Sequence, residues 1–210
     1  MQEERRWSRI KNYELRIMNV EFEATFKNIS KDEFRDKLRD LGAEMVKEEF
    51  LQKRSTFNVP RGCKINESWL RVRDEVDKIT LTFKSGGKQS AIEDQKEIEL
   101  KVDNYEEAKK FLEVLGCRKK SYQETKREIW KLDEVEVMID EWPFLEPFAE
   151  IEGKNEEEVK KASEKLGFDY NDAVFGPVSI LYSEKYGVTE KFVNNEVKEI
   201  LFNGDNPFIR

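Results

Sequence analysis

A chain of 210 residues is long enough for one large domain or two small ones with a sizeable core. Charged residues make up 40% of it, yet 14 Phe, 4 Trp and 6 Tyr supply the apolar mass that a disordered chain lacks. The net charge of -7 argues against a nucleic-acid backbone as partner, and the lack of histidine removes Ser-His-Asp and Cys-His catalysis and His-ligated zinc.

Residues 1–18 read as a polar arm with Trp7 as its apolar anchor; Met1 to Lys11 is too charged for a signal or a membrane span. The two cysteines, Cys63 and Cys117, form no CxxC, which leaves zinc-thiolate and redox motifs unsupported and points to a reducing cytoplasm. The body begins with a strand whose apolar face is Val20, Phe22, Ala24 and Phe26, and whose polar face is Glu21, Glu23, Thr25 and Lys27. Ser30 with Glu33 forms a capping box before Phe34, Leu38 and Leu41 at helical spacing, and Gly42 ends that helix. Strands are predicted over Phe50 to Val59, Ser68 to Asp74 and Lys78 to Lys84. The last two form a hairpin around Glu75-Val76-Asp77, and a turn follows at Ser85-Gly86-Gly87.

After the strand containing Glu97 and Glu99, Asp103 with Glu106 opens a second helix with Ala108, Phe111, Leu112 and Leu115 on its apolar face and Gly116 at its end. Thr125 to Leu132 and Val135 to Glu141 predict another hairpin. Glu150 and Glu152 mark a further strand, and Asn155 with Glu158 opens a third helix carrying Val159, Ala162 and Leu166 and ending at Gly167. The tail predicts a short helix over Val178 to Tyr186 and another from Thr189 to about Phe202.

One pattern therefore occurs three times: a Glu-x-Glu strand, an amphipathic helix, then Leu-Gly. About eight strands, mostly linked as neighbours, favour an α+β fold with a curved antiparallel sheet or barrel over a parallel doubly wound sheet.

The polar strand faces separate by charge. Acids stand on Glu21/Glu23 and Glu150/Glu152, bases on Arg71/Arg73 and Lys84. Glu97, Glu99 and Lys101 share a face, as do Arg127 and Lys131, and Glu136 and Asp140. Taken singly, each strand has the ordinary pattern of a face turned to water. The segregation, together with helices that must pack outside the sheet, favours a polar concave interior instead. Phosphates take Arg and Lys, while carboxylates hold a Mg²⁺ that bridges phosphate oxygens. Same-face residues stand about 6.6 Å apart and neighbouring strands about 4.8 Å, so glutamates from two strands can meet at one ion. Ser85-Gly86-Gly87-Lys88 lacks the P-loop spacing and reads as a turn.

The chain resembles the CYTH superfamily, or triphosphate tunnel metalloenzymes, which includes class IV adenylyl cyclases, thiamine triphosphatases and inorganic triphosphatases. The resemblance covers residues 19–185 and rests on Glu21-x-Glu23, Leu-Arg-Val-Arg at 70–73, Leu-Thr-Phe-Lys at 81–84, Glu-Ile-Glu at 97–99 and Lys-Arg at 126–127. It continues through Ile-Asp-Glu-Trp-Pro at 139–143 and Phe-Ala-Glu-Ile-Glu-Gly at 148–153, and Tyr-x-x-x-Tyr-Gly at 182–187 is similar to a longer branch.

By that resemblance the fold is an antiparallel eight-stranded β-barrel, the triphosphate tunnel, with helices outside. A CYTH-like domain spans 19–188 between the arm at 1–18 and a C-terminal helix and tail at 189–210. The resemblance implies that Arg71, Arg73, Lys84, Lys101 and Arg127 bind the triphosphate, with Lys84, Arg127 and Lys27 as catalytic groups. It implies that Glu21, Glu23, Glu99, Asp140, Glu150 and Glu152 hold Mg²⁺ or Mn²⁺. The family's Glu-x-Glu-x-Lys has Thr25 at its lysine, and Thr125 replaces the base expected two residues before Arg127. The implied activity is hydrolysis of an organic or inorganic triphosphate, with tripolyphosphate, thiamine triphosphate and ATP as candidate substrates. The alternatives are class IV cyclisation of ATP to cyclic AMP and pyrophosphate, and a non-catalytic polyphosphate or nucleotide pocket. A cytoplasmic protein with no nucleic-acid or membrane partner is expected. A homodimer is compatible with the sequence, which does not decide the oligomeric state.

Overall fold

Apolar residues at every second strand position give the sheet one face to bury, and the helices cover that face. The structure, a computed structural model, describes residues 19–20, 22–65, 68–85 and 96–209. The predicted arm at 1–18, the site candidate Glu21 and the turn glycines Gly86 and Gly87 lie outside the described residues. In chain order the elements are β1 (Asn19–Val20), β2 (Phe22–Phe26), α1 (Lys31–Asp40), β3 (Glu44–Asn58), β4 (Ser68–Asp74), β5 (Ile79–Ser85) and β6 (Lys96–Val102). They continue with α2 (Tyr105–Val114), β7 (Arg118–Leu132), β8 (Val135–Glu141), β9 (Phe148–Gly153), α3 (Glu156–Lys165), α4 (Ser179–Tyr186), α5 (Glu190–Asn195) and β10 (Glu199–Ile200).

The order across the sheet is β1-β6-β5-β4-β3-β7-β8-β9-β2. β1 pairs with β6, placing Asn19 opposite Glu97, and β2 pairs with β9, placing Phe22 opposite Gly153. The opening stretch thus reaches both edges of the sheet and curls its antiparallel strands into a barrel, eight in number when β1 and β2 count as one. This is the α+β architecture expected from the sequence.

Three apolar clusters fix the helices to the outer face. Phe34 and Leu38 of α1 and Val159, Ala162 and Leu166 of α3 pack on Ala24, Phe26, Val137, Ile139, Ala149 and Ile151. Ala108 and Leu112 of α2 pack on Phe57 and Val72. Leu181 and Tyr182 of α4 join Val193, Val197, Ile200 and Phe208 around Trp142 and Phe148. Because Val137, Ile139, Ala149 and Ile151 point outward, Glu136, Met138, Asp140, Glu150 and Glu152 point inward. No described helix is long and apolar enough to cross a membrane.

Several local expectations change. Asn104, not Asp103, caps α2, its side chain accepting from the N–H groups of Glu106 and Glu107. Ser30 stands at the N-cap of α1 but makes no side-chain bond there, whereas Asn155 caps α3 through the N–H of Glu158, as predicted. The repeated glycines Gly42, Gly116 and Gly167 adopt φ of +74°, +86° and +77°, the left-handed stop that a side chain would strain. β3 and β7 begin earlier than alternation indicated, because their antiparallel pairing runs from Glu44 opposite Lys131 to Asn58 opposite Arg118 through three register shifts. The last helix is shorter than predicted. It stops at Asn195, and Glu199 and Ile200 pair in parallel with Tyr122 and Gln123 of β7, a stretch whose edge β8 leaves open.

Candidate functional site

A cavity of about 710 Å³ occupies the curl of the sheet, lined by side chains from the polar strand faces. Its strand-borne basic residues come from contiguous strands: Lys84 on β5, Arg71 and Arg73 on β4, Arg54 on β3, and Lys120 and Arg127 on β7, with Lys78 added from the β4–β5 turn. Its strand-borne acids come from the complementary set: Glu136 on β8, Glu150 and Glu152 on β9, Glu23 on β2, and Glu97 and Glu99 on β6. β1 pairs with β6 and β2 with β9, so the acidic strands are neighbours too, and an acidic wall stands beside a basic one. These are not ordinary solvated charges. The side chains of Arg73, Lys84, Glu150 and Arg127 keep 12%, 14%, 15% and 18% of their exposure.

Register explains the acidic density. Glu152 stands opposite Glu23 in the β2–β9 pair and opposite Glu136 in the β8–β9 pair. Directly paired antiparallel residues have Cα atoms about 4.5–5.5 Å apart, so carboxylates on three strands share one patch. Burial, followed by the charges of Glu23 and Asp140, pushes the Glu150 carboxyl well above its usual range, with Arg127 acting against this. Asp140 is only 1% exposed and accepts from Arg127 Nε at 2.7 Å. Arg127 Nη2 also reaches Asp140, and it lies 2.5 Å from Glu150 Oε2. Burial opposes the Arg127 charge, but Asp140, Glu150 and Glu23 outweigh it and hold the guanidinium protonated well beyond its ordinary range.

The basic wall is tied to the far acids. Lys84 lies 3.3 Å from Glu97, and Arg73 lies 2.6 Å from Glu75 and 3.9 Å from Glu99. Thr82 Oγ1 donates to Glu99 at 3.3 Å and accepts from Arg71 at 3.4 Å.

The cavity brings together Arg71, Arg73, Lys84, Arg127, Glu23, Glu99, Glu150 and Glu152, with Asp140 held behind Arg127. It does not gather Lys27, which lies 2.5 Å from Glu184 and lines a separate depression with Leu181 and Lys185. Lys101 is exposed and is likewise absent from the lining. Thr25 is buried and pairs through its backbone with Val174, and Thr125 donates to Gln52 Oε1 at 3.0 Å. Neither supplies a cation.

Sequence reading missed three cations of the lining, Lys78 in the β4–β5 turn, Arg54 and Lys120. Arg54 stands opposite Arg73 and Gln123, and the strand alternation of β3 could have placed it on the lumen face. Lys120 could not have been placed so, because the shift between the Thr56–Ser121 and Phe57–Lys119 pairs turns it into the cavity.

The acidic wall offers carboxylate oxygens and neither imidazole nor thiolate, a set that suits Mg²⁺ or Mn²⁺. Among the described residues no three acidic side chains stand as a ready ligand set. The donor chemistry nevertheless fits a hard cation, since Glu150 is charged only against burial and the charge of Glu23.

The curled sheet, outer helices and two-walled lumen define a tunnel protein of the CYTH type. The CYTH domain profile matches residues 19–173, and the chain belongs to that family. A Methanocaldococcus jannaschii protein named "Putative adenylate cyclase" is 26% identical over 133 residues, covering 63% of this chain and 76% of that protein. Among solved structures, a conserved hypothetical protein from Pyrococcus furiosus superposes with a TM-score of 0.61 at 25% identity, over 73% of this chain and 94% of that one. A Hippeastrum protein described as a "putative adenylyl cyclase" that reveals a dominant triphosphatase activity shares the fold, with a TM-score of 0.51 at 16% identity over 81% of this chain and 97% of its own.

Proposed function

We propose that this chain is a metal-dependent phosphohydrolase that cleaves the triphosphate group of an organic or inorganic substrate held in the lumen. The observation that carries this reading is the basic wall, Arg71, Arg73, Lys84 and Arg127, set beside the acidic wall, Glu23, Glu150 and Glu152, around one cavity. Guanidinium forks bind phosphate oxygens in pairs, and Lys84 adds a point charge. Glu23, Glu150 and Glu152 would hold Mg²⁺ or Mn²⁺, with Glu99 near and Glu21 as a further candidate. The ion supplies charge neutralisation and acidifies a bound water.

The residues of the chain do the positioning. Asp140 fixes the plane of Arg127 through two hydrogen bonds, so the guanidinium meets a phosphate without a search for its rotamer. Thr82 bridges Arg71 and Glu99, linking the basic side to the acidic one. The low exposure of Arg73, Lys84, Arg127 and Glu150 reduces solvent screening of these charges, which strengthens each interaction.

Cyclisation of ATP is the second reading, supported by the name of the Methanocaldococcus jannaschii relative. A cyclase would present the ribose 3′-hydroxyl to the α-phosphorus, with pyrophosphate leaving. One assay separates the readings: purified protein with Mg²⁺ or Mn²⁺ receives tripolyphosphate, thiamine triphosphate and ATP. Orthophosphate release from a triphosphate supports hydrolysis, and cyclic AMP with pyrophosphate supports cyclisation. Binding without turnover leaves only a pocket, and the enzyme readings fall.

A further inference from the structure

Arg54 has features that no structural role explains. It lies on β3, with Arg73 opposite it on β4 and Gln123 opposite it on β7, and its side chain lines the lumen. Its Cζ stands 3.8 Å from the centre of the Trp142 ring. Its Nε is shut off from solvent and has no hydrogen-bond partner, and no ion pair to Arg54 is found among the described residues. Burial, then the charges of Arg71, Arg73 and Arg127, press its guanidinium well below its ordinary range against a weaker opposing pull from Asp140.

The burial, the unpartnered Nε and the neighbouring like charges each cost stability in the unliganded protein, and the contact with Trp142 offsets only part of that cost. A cation taken out of water without a counter-charge is unfavourable, and three guanidiniums of like sign make it worse. A Met or Gln at position 54 would fill the same space without either cost. The arrangement becomes favourable once a polyanion enters, because one phosphate chain then neutralises Arg54 together with its neighbours. The contact with Trp142 suits this role, since a guanidinium held against an aromatic ring gains a cation–π attraction without using its N–H donors on another acceptor. Arg54 also stands where charge is short. Gln52, two residues before it on the same face, is the register partner of Thr125, the position at which the chain lacks a base.

We propose that Arg54 is a phosphate-binding residue of the lumen, pre-oriented by Trp142, that supplies from β3 the positive charge missing at Thr125 on β7. This rests on the triphosphate reading given above and adds to it a residue and a substrate requirement: the bound group must be a polyanion long enough to meet Arg54 as well as Arg71, Arg73 and Arg127.

The test measures tripolyphosphate binding by calorimetry, its KM and kcat with Mg²⁺, and thermal unfolding without ligand, for the full chain and its Arg54→Met and Arg54→Lys variants. The expected result is that Arg54→Met binds at least about tenfold more weakly and raises KM more than it lowers kcat, while melting no lower than wild type when unliganded. Arg54→Lys keeps the charge but not the fork and should fall between the two. Wild-type affinity in Arg54→Met overturns the proposal. So does a drop of several degrees in unliganded melting with affinity unchanged, which would make Arg54 structural. Should Arg54→Met not fold, Arg54→Lys decides: weaker binding supports the proposal and wild-type affinity overturns it. If the wild-type chain itself binds no tripolyphosphate and no nucleoside triphosphate, the proposal falls with the triphosphate reading, an outcome distinct from failure at Arg54 alone.

Discussion

Arg127 on β7 is the direct register partner of Asp140 on β8, and its Nε donates to Asp140 Oδ1 at 2.7 Å. The same guanidinium reaches Glu150 through Nη2. Arg127 therefore joins a carboxylate buried behind the lumen to one that lines it, and the basic and acidic walls meet at this residue.

Arg127→Met removes the counter-charge of Asp140 and Glu150 at once. Breaking a buried pair from one side typically costs about 3–5 kcal/mol, because the remaining charges stay out of water. Denaturant unfolding at pH 7 should show a loss of that order. Acidification should restore part of it, as Glu150 takes up a proton. A change below about 1 kcal/mol would show that other groups neutralise the two acids.

Glu150 gives a pH dependence of known sign. Its folded value lies well above its ordinary 4.5, so the native state binds a proton more tightly than the unfolded state does. The stability contributed by that proton is fully present below 4.5 and is lost as pH rises through the folded value. Glu150→Gln cannot lose it. Subtracting the melting profile of the variant from that of wild type should give a difference that favours wild type more at acid pH than at pH 8. A flat difference would mean that Glu150 titrates alike in both states. Under the metal reading the same proton competes with the cation, so apparent Mg²⁺ affinity should weaken as pH falls.

Much of this arrangement was legible in the chain because its signals are local. The three Leu-Gly helix stops need only a short window, and each glycine has the positive φ that the pattern implied. Alternation placed Glu23, Arg71, Arg73, Lys84, Glu99, Arg127, Glu150 and Glu152 on lumen faces, since period two fixes a face once the strand is known. What escaped depends on pairing. Lys120 enters the cavity at a register shift, and no one-dimensional period records a shift between two strands. Lys27 keeps the parity of Glu23 but lies beyond the end of β2, where Glu184 of α4 captures it. The predicted long final helix gave way to pairing with an open edge of β7, a tertiary contact that outweighs local propensity.

Glu152 is half-buried and stands opposite both Glu23 and Glu136. Glu152→Gln keeps its shape and removes one charge from a crowded acidic patch, so unliganded stability should hold or rise slightly. If the acidic wall holds the catalytic ion, turnover should fall by about a hundredfold or more, in line with loss of a major electrostatic contributor. Orthophosphate release measured across a Mg²⁺ or Mn²⁺ titration checks both parts. Unchanged rates at every metal concentration would remove Glu152 from the site.

Leu38 provides the opposite pattern. It is fully buried on α1, against the outer face of the sheet, and touches nothing in the lumen. Leu38→Ala should cost about 2–5 kcal/mol through lost contacts and the cavity left behind. Since the inward and outward residues of β2, β8 and β9 alternate along rigid strands, that loss should leave the lumen charges where they are. Urea unfolding should therefore shift strongly while KM for a triphosphate, measured well below the melting temperature, stays within about twofold of wild type. A large rise in KM in this variant would show that α1 sets the spacing of the acidic strands as well as covering their apolar side.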